Sequence, residues 1–141
     1  MSIHPSDSSA QREAEPLIIA AVAEQLGVEF RPVVVEWEGA TVEIDGASTD
    51  LRVPVEAYAH IGPLRGAQPK KIATDAFTLA WIGPKVGAEK LITAILGQDA
   101  AGFLARPWAW LTAAIHDAGI HVMLVDVDGP ARDAVRQAQA T

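Results

Sequence analysis

No cysteine occurs anywhere in the 141 residues. A disulfide framework, a thiolate zinc site and a thiol nucleophile are therefore excluded. Positive charge is also scarce: 11 Lys and Arg stand against 18 Asp and Glu, a net charge of −7. Because phosphate affinity comes mainly from Lys and Arg, this balance argues against a generally cationic nucleic-acid or membrane binder. Long apolar runs are missing: residues 17–23 are followed at once by Glu24, far too short a stretch to span a bilayer. The opening MSIHPSDSSAQREAE has neither the basic nor the apolar region of a signal peptide. Residues 1–15 are expected to form a frayed tail, and a cytoplasmic protein without membrane association is the expectation. Glycine-rich phosphate loops, a serine nucleophile elbow and a histidine-rich zinc motif are all lacking.

What remains is globular in character, with 50% hydrophobic and 21% charged residues. Residues 16–141 are expected to form one domain, since no linker or internal repeat divides them. Pro16 suits the first turn of a helix, and LIIAAVAEQLG runs from there to a stop at Gly27. RPVVVEWEGATVEID then changes to period two, with Val33, Val35, Trp37, Val42 and Ile44 on one face. A Gly39-Ala40 turn between the halves predicts a hairpin in which Glu36 faces Glu43 and Val34 faces Asp45.

The alternation resumes in a third strand, with Val53, Val55, Ala57 and Ala59 on one face and Glu56, Tyr58 and His60 on the other. Pro54 fits the start of that strand or an edge. Pro69 opens the helix PKKIATDAFTLAWI, which Gly83-Pro84 is expected to close, and Gln68, Lys71 and Asp75 share one of its faces. LITAIL reads as a strand, DAAGFLA as a short helix, PWAWLTAAIHDAG as a longer one, IHVMLVDV as a strand and PARDAVRQAQA as a terminal helix. The whole predicts an α/β sandwich with an antiparallel hairpin at one side and crossover helices at the other.

Residues 51–71 carry Arg52, Arg65, Lys70 and Lys71 against Glu56 alone, +3 inside an acidic chain. If the third strand lies beside the hairpin, Asp45 and Glu56 approach one another. Two carboxylates plus water suit Mg²⁺, which takes oxygen ligands and keeps several waters. Lys71, at the start of the next helix, is placed to orient water or to neutralise charge developing on a phosphate. Tyr58 is a candidate for stacking on a base or bonding a phosphate, with a half-buried strand tyrosine as the alternative. Trp37, Trp81, Trp108 and Trp110 read as core or interface anchors, and Asp75 as ordinary i,i+4 support for Lys71.

The order helix, hairpin, third strand with an acid, helix, strand, helix, strand resembles the common core of the restriction endonuclease-like, or PD-(D/E)XK, nuclease superfamily. The resemblance covers residues 17–127. It implies an α/β/α sandwich with a mixed central sheet and metal-dependent hydrolysis of nucleic-acid phosphodiesters. In the terms of that resemblance, Asp45 matches the family's second-strand Asp, with Asp50 as the substitute, and Glu56 matches the third-strand acid. Tyr58 stands where the family has Lys. Gln68-Pro69-Lys70-Lys71 looks like a version in which that Lys has moved to the following helix. Glu24 is similar to a first-helix acid that some members bring to the metal. The resemblance thus implies Mg²⁺ or Mn²⁺ on Asp45, Glu56 and Glu24, phosphate steering by Gln68, Lys70 and Arg65, and a homodimer by analogy. A protein that keeps the fold as an interaction or nucleic-acid-binding surface, without the chemistry, is the competing expectation.

Overall fold

The computed structural model describes residues 9–59, 68–96, 102, 110–127 and 129–140. The elements in chain order are α1 (Ser9–Leu26), β1 (Phe30–Trp37), β2 (Ala40–Ser48), β3 (Pro54–Ala59) and α2 (Gln68–Val86). These are followed by β4 (Leu91–Leu96), α3 (Trp110–Asp117), β5 (Ile120–Val125) and α4 (Gly129–Ala140). The five strands form one mixed sheet in the order β1-β2-β3-β4-β5. The first three are antiparallel neighbours, and β3, β4 and β5 run parallel, as crossovers through helices require.

α1 starts at Ser9, so part of the expected tail is helical and Pro16 lies inside the helix. A proline there removes one backbone donor. The helix continues through it, and Ala14, Ile18 and Val22, at successive four-residue steps, pack together in the core. α2 likewise continues through Gly83-Pro84 to Val86. It ends where Gly87 takes φ +72° and the Ala88 N–H donates back to the Gly83 carbonyl, closing the last turn.

The hairpin turns one residue earlier than its sequence suggests. Glu38 and Gly39 have φ of 51° and 84°, and Trp37 faces Ala40. Positive φ at both central residues is the type I′ geometry, whose twist matches that of the strands. Glu36 therefore faces Thr41, and Val34 faces Glu43, so the expected Glu36–Glu43 opposition does not form. The shift is two residues in pairing, which leaves the apolar face of Val33, Val35, Val42 and Ile44 intact.

β3 is the central strand, and all six of its residues are buried. On one face Val55, Ala57 and Ala59 pack with Ile92, Ala94 and Leu96 beneath Ile18 and Val22 of α1 and Val135 of α4. On the other, Tyr58 and Ile95 pack beneath Ile72, Ala76 and Leu79 of α2, with Leu111 and Ile115 of α3. Each fully buried Ile or Leu contributes roughly 1.5–3 kcal/mol relative to exposure. The end of α2 extends this packing over the hairpin, where Ile82 meets Ile44 and Ala47, with Trp37 and Trp81 partly buried at the margin. Trp110, by contrast, is 76% exposed, and Trp108 lies outside the described residues. Among the described residues, no helix is long and apolar enough to cross a membrane.

α1 comes so close to β2 that a Cβ on Gly46 would lie 2.8 Å from Ile19 Cγ2. Gly46→Val is expected to destabilise the fold by about 1–3 kcal/mol in urea unfolding, since the added carbons must displace Ile19. Glu38→Asn is expected to stabilise it by up to about 1 kcal/mol, because Asn tolerates the left-handed backbone better than Glu. A loss of stability in Glu38→Asn would contradict a turn centred on Glu38-Gly39.

Candidate metal centre

The backbone pairing of β2 with β3 is short, covering Gly46 with Val55 and Ala47 with Pro54. Beyond it the next residue of β2, Asp45, reaches β3 with its side chain: the Ala57 N–H donates to Asp45 Oδ2 at 2.8 Å. A carboxylate thus takes the place of a ladder carbonyl. That bond satisfies a buried amide and fixes the Asp45 side chain beside Glu56.

Glu56 faces α2, and so does Tyr58 two residues on, because side chains alternate along a strand. It is only 4% exposed, in the interior of the central strand, so the third strand is no solvated edge. α2 brings Lys71 and Asp75 over the same face, one turn apart, with Lys71 Nζ 3.5 Å from Asp75 Oδ2 and both side chains 14% exposed. Oxygens of Asp45, Glu56 and Asp75 all lie within 4.8 Å of one another. Thr93 pairs with Glu56 across β3 and β4 and is directed to the same face. Its hydroxyl is buried and has no hydrogen-bond partner among the described residues.

Burial pushes the Glu56 carboxyl up to about 11, aided by the negative charge of Asp45, by a hydrogen bond to Asp45 and by the charge of Asp75. Lys71 works in the opposite direction. Without a cation, Glu56 therefore keeps its proton beside Asp45, with a third acid close by. Three oxygen donors at this spacing can hold a metal ion, which would replace the Glu56 proton as the neutralising charge.

The residues expected from sequence separate into three groups. Asp45, Glu56 and Lys71 converge. Glu24 is exposed on α1 and is not among the converging carboxylates, because α1 covers the opposite face of the sheet from α2. Asp50 is a turn residue: its carboxylate accepts from Ser48 Oγ at 2.8 Å and from the Arg52 N–H at 3.1 Å, and it also stands outside the cluster. Tyr58 is 1% exposed, so its ring is core and presents no surface for a base. Burial, and then the charge of Asp75, push its hydroxyl pKa up. Lys70 is exposed at the start of α2. Arg52 faces Glu89 at 3.0 Å and Asp50 at 3.7 Å, which removes it from any basic patch. Gln68 opens α2, while its side chain, Arg65 and His60 lie outside the described residues.

Asp75 is the member that sequence reasoning missed. Its signal was its place among Ile72, Ala76 and Leu79, three buried positions on one helix face, where an acid is out of keeping unless something neutralises it. Asp45 also lines a groove of about 490 Å³ between α1 and the hairpin, with Ile19, Phe30, Val34, Glu15 and Glu43. Comparison of the chain with protein-family models, with curated proteins and with solved structures gives no match.

An unfolded Glu titrates near 4.5, whereas folded Glu56 keeps its proton far above that value. Between the two values the folded state binds more protons than the unfolded one. Its advantage is full below 4.5 and is lost as pH rises toward the folded value. The metal-free protein is therefore expected to melt at a lower temperature at pH 8 than at pH 5.5, and Glu56→Gln should remove most of that dependence. Equal pH dependence in the two proteins would contradict the buried, protonated state of Glu56.

Proposed function

We propose that this chain is a divalent-cation-dependent phosphodiester hydrolase of the restriction endonuclease-like type, acting on nucleic acid. The observation that carries the reading is the convergence of Asp45, Glu56 and Asp75 within 4.8 Å, with Lys71 at 3.5 Å from Asp75. The element order is the one on which the resemblance rests, and the Lys comes from the helix after the third strand. An all-carboxylate donor set suits hard cations such as Mg²⁺ or Mn²⁺. The Thr93 hydroxyl beside Glu56, without a partner among the described residues, gives a bound ion or its water a further oxygen contact.

In this reading Asp45, Glu56 and Asp75 hold the ion, whose role when bound is to polarise the scissile phosphate and acidify the attacking water. Lys71 donates from its ammonium to the phosphate or to the attacking water, stabilising charge as it develops. Lys70, exposed beside it, with Gln68 and Arg65, steers the phosphate backbone. The groove between α1 and the hairpin is a poor path for a polyanion, since Glu15 and Glu43 line it. Substrate therefore approaches from the start of α2.

Cleavage of single- and double-stranded DNA and RNA with Mg²⁺ or Mn²⁺ tests this reading. Wild-type protein is expected to cut at least one of these substrates, Asp45→Asn and Glu56→Gln to fall to background, and Lys71→Ala to lose about 10²-fold or more. Undiminished cleavage by Glu56→Gln would remove the assignment. Cation binding without cleavage of any substrate would favour the non-catalytic binding protein.

A further inference from the structure

Lys71 does more in this arrangement than await substrate. Its ammonium contacts Asp75, one of the three converging carboxylates, and opposes the upward push on Glu56, so it is already an internal counter-ion of the cluster. With all three acids ionised, the cluster with Lys71 would carry a charge of −2, from three carboxylates and one ammonium. A divalent cation neutralises that charge, and it competes with Lys71 for the Asp75 oxygens. Both side chains are only 14% exposed, so water screens this competition weakly.

We propose that Asp75 is a two-position switch residue: without the ion it holds Lys71, and on cation binding it turns to the ion and releases the Lys71 ammonium toward the substrate. The inference rests on the cation site proposed above and adds to it a positioning role for Asp75 and a coupling between ion and lysine. The Lys71–Asp75 contact supplies the resting position of the switch. One observation outside the acidic cluster points to a ligand there: Thr93 is 1% exposed and directed to the Glu56 face, and its hydroxyl has no partner among the described residues. Helix geometry makes the switch inexpensive, because residues four apart on α2 can separate by side-chain rotation without moving the backbone.

The test is the affinity of the full chain for Mn²⁺, measured by calorimetry and by electron paramagnetic resonance of the ion, with no substrate present. Lys71→Met, which keeps length and removes charge, is expected to tighten Mn²⁺ binding about fivefold, as expected for loss of a competing ion pair. Asp75→Asn is expected to weaken it about tenfold or more. Circular dichroism melting of each variant at pH 5.5 establishes that it is folded, and Lys71→Met carries the test alone if Asp75→Asn is not. Binding by the wild type with unchanged affinity in Lys71→Met would overturn the switch and leave the cation site standing. No Mn²⁺ binding by folded wild-type protein would overturn the cation site, and the switch with it.

Discussion

The bond from the Ala57 amide to the Asp45 carboxylate joins the hairpin to the rest of the sheet at the point where their backbones separate. β2 and β3 share only two register pairs, and just beyond them Asp45 supplies the acceptor for the buried Ala57 N–H. With that bond, one acidic side chain is pinned in the plane of the sheet next to a second acid on the central strand. α2 must cover this junction, and does so with the turn that carries Lys71 and Asp75.

Burying acids under a helix is costly unless each finds a partner. Here the cost is divided among three devices: the proton that Glu56 keeps, an amide bonded to Asp45, and an ammonium against Asp75. Each satisfies one acid and none satisfies all three at once. The Thr93 hydroxyl beside them has no partner among the described residues. Tyr58, Ile72 and Leu79 pack on the same face of the sheet, so Glu56 sits in apolar company, where an unneutralised charge is costly.

Much of this was legible in the chain. Period-two alternation placed Glu56 and Tyr58 on one face of a strand, and the polar spacing of Lys71 and Asp75 placed them on one face of a helix. The sequence could not tell how deeply the two were buried: Tyr58, read as a base- or phosphate-contacting or half-buried residue, is core, and Glu56 lies in the central strand although Pro54 also fitted an edge. Glu24 and Asp50 had the right residue type at plausible places, yet one lies across the sheet and the other is engaged in a turn. The hairpin turn went to Glu38-Gly39 because strand twist favours type I′, a preference that outweighed the usual reluctance of Glu to take positive φ.

Local pattern by itself determined the five strands, the faces they present and the helix that follows β3, because hydrophobic period and turn chemistry act over a few residues. The order of those strands, the burial of Glu56 and the company it keeps were decided only by the tertiary structure. Asp45, Glu56 and Asp75 come from three elements, and their mutual distance depends on where β2 leaves β3 and how α2 crosses the sheet. No local rule encodes that distance. It is set by the packing of Ile72, Ala76 and Leu79 onto Tyr58 and Ile95, which lowers Asp75 onto two acids already in place.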